Sequence, residues 1–297
     1  MFNRVFKFFV NDFMFKNFLP CLIACIAWNT AADELPFFDG HLHYSGDAWE
    51  ETPPEKAIKY LDEANIPRAL LSSTPIEGTL KLYARDPKRF VPELRVYHKA
   101  TSYETWLVER ANWWRADDTM PFLENELKRG IYVGIGEFHL YGAEAQSGVI
   151  KRLVNLAVEK KLHLHAHSDT QAIETLMSHN PKAKILWAHA GMSTPAPTVG
   201  EWMARYPTMY VELSYRYDIV SGDTIDPAWK ELFLKYPDRF VMGSDTWTPS
   251  RWPELPAIAT WYRGWLGKLP REVAENIAFK NLARFLGTTF YRRTSAA

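Results

Sequence analysis

Short apolar runs rich in β-branched residues recur along most of the chain, at 37–44, 68–73, 90–97, 132–140, 162–167, 184–189, 209–215 and 239–245. Such runs, bounded by turn residues, predict buried strands. Between them the apolar period lengthens to that of a helix. The stretch 54–61 opens with Pro54, tolerated in the first turn because the N–H it lacks has no partner there. The stretch 149–161 sets Val149, Leu153, Leu156 and Ala157 on one predicted face, and 228–236 and 271–286 read similarly, the last preceded by Pro270 and followed by Gly287. Strands alternating with helices imply parallel pairing, and eight such units fit a (β/α)8 TIM barrel with its active site at the C-terminal strand ends. A doubly wound open sheet is the alternative, but it would not bring the first and eighth strands together.

Histidines and acids cluster at the ends of these runs. The first carries His41-Leu42-His43, the fourth Glu137-Phe138-His139, the fifth His163, His165 and His167, the sixth His189 and the eighth Asp245. Residues two apart on a strand share a face, so His41 and His43 point together, and Glu137 is expected to close an inward series with Val133 and Ile135. A carboxylate ending an apolar strand is costly to bury without a cation or a partner. Residues roughly 200 positions apart converge readily on the rim of a closed barrel. The pattern reads as a metal-dependent enzyme. For strand five, parity does not choose among His163, His165 and His167.

Composition narrows the picture. The 297 residues exceed the about 250 typical of one such barrel. Hydrophobic residues at 47% provide a sizeable core, while Lys+Arg and Asp+Glu both total 35. Net charge is therefore zero, without the basic excess of a nucleic-acid binder, and the expected partner is a small-molecule substrate. Residues 1–32 have the composition of an export signal: Lys16 and Asn17, the apolar run 18–28, then Thr30-Ala31-Ala32. Met14 is a natural start for it. Cleavage near Ala32 is the favoured reading, giving a periplasmic domain over 33–297; Leu22-Ile23-Ala24-Cys25 also resembles a lipobox, which would anchor Cys25 to a membrane. Both cysteines, Cys21 and Cys25, lie in this leader, so a metal site in the remainder uses nitrogen and oxygen donors.

Taken together, Asp39-Gly40-His41-Leu42-His43, Gly134-Ile135-Gly136-Glu137, His165-Ala166-His167, Ala188-His189-Ala190-Gly191 and Gly243-Ser244-Asp245-Thr246 resemble the amidohydrolase superfamily, in its amidohydrolase-related branch (family 2). The segment 281–286 looks like that branch's closing helix. The resemblance spans nearly the whole of 33–297. It implies His41, His43 and Asp245 on one divalent ion, His165 and His189 on a second, and Glu137 bridging, where many relatives carry a carboxylated lysine. Some members hold a single ion. The family pattern also favours His165 as the strand-five ligand, leaving His167 near the rim as a substrate contact and His163 as a core histidine. His139 and Arg216 are further substrate-binding candidates, with Arg95 and Arg251 behind them; His98 and His179 read as structural. The tryptophans of 98–118 and 246–265 read as pocket walls or as loop packing.

The implied chemistry is hydrolysis of an ester, lactone or amide of a small molecule, with zinc the expected ion and Asp245 moving the proton. The rival within the same branch is a metal-dependent decarboxylase of aromatic or unsaturated acids. A phosphoesterase on the same barrel, and a barrel that only binds, are more distant alternatives.

Overall fold

The computed structural model describes residues 35–290, so the export signal, Cys25 and the cleavage zone lie outside the described residues. Eight parallel strands follow one another in sequence order around a nearly closed barrel: β1 (Phe38–His43), β2 (Arg68–Ser72), β3 (Phe90–Leu94), β4 (Gly134–Leu140), β5 (His163–Ser168), β6 (Lys184–Trp187), β7 (Met209–Glu212) and β8 (Phe240–Val241). Helices intervene, giving the (β/α)8 barrel.

The seam between β8 and β1 is joined by few main-chain contacts. The Gly40 N–H donates to the Met242 carbonyl at 2.9 Å and the Asp245 N–H to the His41 carbonyl at 2.6 Å. Asp39, fully buried, accepts from the His41 N–H at 2.9 Å, the Ser244 N–H at 3.0 Å and the Ser244 hydroxyl. Burial raises the Asp39 carboxyl to about 6 despite these donors. A side chain at Gly40 would place Cβ 2.5 Å from Val241 Cγ1 and 3.0 Å from the Met242 carbonyl oxygen. The seam therefore closes only around glycine.

Several elements end earlier than the apolar runs suggest. Strand β8 stops at Val241, because the Met242 N–H turns to the Ile277 carbonyl at 3.1 Å and Arg251 takes the carbonyls of Ser244 and Asp245 at 2.6 and 2.7 Å. Strands β6 and β7 stop at Trp187 and Glu212. Beyond them His189, Ala190 and Tyr215 adopt positive φ, as Asp245 does after β8. Left-handed backbone breaks the pleat.

Two helices differ in detail. Helix Gly148–Glu159 buries Leu153 and Ala157 of the expected face and adds Ile150 and Val154, while Val149 and Leu156 pack at its edge; N-cap Ser147 fixes the start. The closing segment is helix Arg271–Glu275, a π turn Asn276–Lys280 and helix Asn281–Leu286, ended by Gly287 at φ 63°.

Candidate metal centre

Strand β1 keeps His41 and His43 on the barrel interior, their Nε2 atoms 3.0 Å apart. The outer nitrogen of each ring is spoken for. His41 Nδ1 lies 3.0 Å from Glu212 Oε2, and His43 Nδ1 is 2.9 Å from the Ser72 carbonyl. A carbonyl or carboxylate can only accept, so each Nδ1 donates, and Nε2 keeps a lone pair only where the ring is neutral. His165 repeats this arrangement with Glu93 Oε2 at 3.1 Å, and His189 with the Ser214 carbonyl at 3.2 Å. Four imidazoles are thus oriented through their Nδ1 atoms, the other three rings packed about His41.

Two carboxylates meet them. Glu137 Oε2 lies 3.6 Å from His41 Nε2 and 3.3 Å from His43 Nε2, and its Oε1 lies 3.4 Å from His189 Nε2. Asp245 Oδ1 lies 3.6 and 3.4 Å from the same two β1 nitrogens, and Oδ2 is 3.8 Å from His189 Nε2. Within this buried group, His165 Nε2 and Asp245 Oδ1 have no hydrogen-bond partner. Acceptors facing acceptors in a buried space are unfavourable unless a cation or protons lie between them. Three overlapping ligand groups meet at His41: with His43 and Glu137, with His189 and Asp245, and with His165 and Glu212. Nitrogen and carboxylate donors of this kind suit Zn²⁺ or a similar divalent ion.

The charges agree. Burial works against protonating His41, but Asp245, Glu137 and Glu212 overcome it and raise the ring well above its usual range. Burial likewise opposes ionising Glu137, yet the surrounding histidines hold it well below the usual carboxylate range. His43 and His165 are lowered by burial. The acids keep a proton on His41, whose Nε2 donates to His43 Nε2 at 3.0 Å; a bound cation would take that proton's place.

Glu137 reaches this point by a route that alternation does not provide. Gly134 and Gly136 pair with His163 and His165, and Ile135 pairs with Leu164. Lateral neighbours share a face, so Ile135 points away from the donors, contrary to the expected inward series. The register slips between Gly136 and Phe138, and the extra residue is Glu137, re-aimed by the bulge. A Cβ at Gly136 would sit 2.4 Å from the His165 carbonyl oxygen, so only glycine permits the approach.

The remaining candidates separate clearly. His167 Nδ1 is 2.9 Å from Glu137 Oε1, and His139 stacks on His167 with centroids 4.3 Å apart; both line a cavity above the donors. His163 turns to Glu93 in the core. Arg216 does not line the cavity: its guanidinium is spent on Asp218 and on the carbonyls of His189, Ala190 and Thr194, which fixes the turn after β6. Arg251 performs the same office after β8. Arg95 holds Glu137 directly, Nη2 to Oε2 at 2.7 Å. Of the tryptophans, Trp106 and Trp247 line the cavity, whereas Trp113, Trp252 and Trp265 are core residues.

Two buried acids play parts that the apolar runs concealed. Glu212 ends β7 and accepts from His41 Nδ1, the His189 N–H at 3.1 Å and the Ser214 hydroxyl at 2.9 Å. Despite burial, the His41 charge lowers it to about 2. Glu93, on β3, orients His163 and His165. Their signal was the one applied to Glu137, an acid inside an apolar run. The cavity itself has a volume of about 390 Å³ and opens among Tyr103, Met192 and Trp247.

A family model described as "Amidohydrolase" matches residues 123–288. No curated protein matches the chain. Among solved structures, a "probable 2-pyrone-4,6-dicarboxylic acid hydrolase" of Acinetobacter baumannii with citric acid bound aligns over 84% of this chain and 99% of its own, at TM-score 0.53 and 16% identity. A zinc-bound amidohydrolase from Burkholderia multivorans aligns over 86% and 100%, at TM-score 0.52 and 11% identity. The N-acetyl-D-glucosamine-6-phosphate deacetylase of Mycobacterium smegmatis aligns over 85% and 76%, at TM-score 0.56 and 14% identity. At these identities the likeness is one of fold.

Proposed function

The chain belongs to the amidohydrolase family, and from that premise we propose that it is a metal-dependent hydrolase cleaving an ester, lactone or amide bond of a small molecule. The observation that carries this reading is the convergence of the His41 and His43 Nε2 atoms with Glu137 and Asp245 beneath an open cavity. His41, His43 and Asp245 would hold one ion, and His165, His189 and Glu137 a second where two are bound. A divalent ion there would polarise a scissile carbonyl and bring the pKa of water toward about 7.

The chain's own groups then handle the proton. Asp245 lies at the cavity floor with Oδ1 toward the His41 and His43 nitrogens, which leaves Oδ2 to accept the proton of the attacking water and return it to the leaving group. Arg95 and His167 fix the Glu137 carboxylate, and the Nδ1 partners of the four histidines fix their rings. Trp106, Tyr215 and Trp247 wall the cavity and exclude water from a bound substrate.

One observation favours the decarboxylase reading as the second. Glu137 Oε2 already accepts from Arg95 and Oε1 faces His167, so a bridge to a second ion competes with existing partners. Metal analysis of purified protein beside a Glu137→Ala variant decides. About two ions per chain, falling in the variant, would support the bridged hydrolase. One ion unaffected by the change moves release of CO₂ to the front. No ion after reconstitution overturns both.

A further inference from the structure

Two arginines line the cavity, and their situations differ. Arg95 is committed, its guanidinium on the Glu137 carboxylate and carbonyl and on Thr74. Arg110 is not. Among the described residues no carboxylate lies within ion-pair distance of it, and its hydrogen bond to another residue runs from Nη2 to the Tyr141 hydroxyl at 3.3 Å. It is half-buried on helix Tyr103–Arg110, with its guanidinium carbon 5.4 Å from the Trp106 ring centroid and 5.9 Å from that of Tyr141. Aromatic faces on two sides hold a planar cation in place without consuming its N–H donors.

The rest of the cavity says what such a cation would meet. The floor carries Glu137 and Asp245, which repel an anion, whereas Arg110 adds unneutralised positive charge to the wall. Tyr103, Met192 and Trp247 leave large apolar surfaces exposed around the opening, with Tyr103 at 51% and Trp247 at 44%. Exposed apolar surface rimming a cavity marks a place for an apolar body. A half-buried guanidinium with open donors is matched by a carboxylate, which it grips through paired hydrogen bonds.

We infer that Arg110 is a specificity-determining residue that binds a carboxylate of the substrate, so that the substrate is a small carboxylic acid with a flat apolar body and a second, reactive carbonyl group directed to the floor. The inference deepens the hydrolase reading and rests on it for the reactive group alone.

The test is binding by calorimetry to the metal-loaded protein. Benzohydroxamate serves as the probe, since its hydroxamate chelates divalent ions, beside its 3-carboxy and 4-carboxy derivatives. One carboxy derivative is expected to bind about tenfold or more tightly than the parent, the scale of a charge-assisted hydrogen-bonded pair. Arg110→Met brings the ratio of carboxy-derivative to parent affinity to about one; Arg110→Lys, which keeps the charge without the fork, retains part of the advantage. Thermal unfolding of both variants checks that they fold. Absence of any advantage in the wild type, or an advantage surviving Arg110→Met, overturns the inference. Failure of the metal reading shows separately, as benzohydroxamate binding no better than benzamide.

Discussion

Strand β1 and the turns that follow β6 and β8 bring donors to the same point by different means. On β1, His41 and His43 lie two apart within the strand, just where its register slips between Asp39 and Leu42; pairing to β2 resumes at Leu42 and His43, and both rings aim inward. His189 and Asp245 lie beyond the ends of their strands, at φ 54° and 49°, in backbone that side-chain-bearing residues adopt at a cost. The first arrangement is held by the sheet. The second is held by side chains placed around it: Arg216 on the carbonyls after β6, Arg251 on those after β8, and Glu212 on the His189 N–H. The part of the site to which we assign proton transfer is therefore the part whose backbone depends on other side chains.

The largest effect that sharpens this contrast is at Asp245. Asp245→Asn keeps the shape but replaces the oxygen proposed to accept the proton, and turnover of any accepted lactone or ester should fall by about 10³ or more. A variant within tenfold of the wild-type kcat would remove Asp245 from the chemistry.

Glu212 joins the two regions, touching His41 Nδ1 from the strand side and the His189 N–H from the turn side. Glu212→Gln should weaken zinc binding by about 10- to 100-fold, the usual consequence of losing a ligand's orienting partner. Competition against a chromophoric chelator measures it. His43 offers a control within the same site, since a main-chain carbonyl orients it and no substitution removes that partner. An unchanged zinc affinity in Glu212→Gln would mean that the rings are held by packing alone.

The same contrast accounts for what could be read from the chain. The barrel and the β1 pair were legible because the apolar runs and the two-residue spacing of His41 and His43 stand in the sequence itself, although the register slip between Asp39 and Leu42 does not. His189 and Asp245 were found by their positions after apolar runs, although neither lies on a strand. Glu137 was found for a reason that does not hold: parity with Ile135 fails, and the bulge corrects it. Spacing records pleats, not slips. Glu212 and Glu93 were passed over because each lies within an apolar run whose hydrogen-bond partners come from distant strands. Arg216 looked available for substrate because a guanidinium's carbonyl partners leave no mark in sequence.

Substitution of the turn arginine tests whether those backbone supports matter. Arg216→Met deletes hydrogen bonds to three carbonyls, and the turn carrying His189 should loosen. Zinc affinity should drop by up to about tenfold, with a stability loss of about 1–3 kcal/mol from the buried carbonyls left unpaired. A fall in stability with unaltered zinc affinity would separate the turn from the metal centre.

The smallest expected change lies on the sheet side, at the seam. Gly40→Ala leaves every donor in place, but its Cβ meets Val241 Cγ1 and the Met242 carbonyl, and the latter is main chain that already accepts the Gly40 N–H. The Val241 side chain can rotate away; the carbonyl cannot move without parting β8 from β1. Overpacking of this kind costs about 1–3 kcal/mol, visible as a lower midpoint in chemical unfolding. His41 is the next residue after Gly40, and Asp245 hangs from the same seam through its N–H on the His41 carbonyl, so the strain reaches a β1 histidine and the β8 carboxylate together. Turnover and zinc affinity should therefore fall in parallel. A loss of turnover with unaltered zinc affinity would place the seam under the β8 half alone.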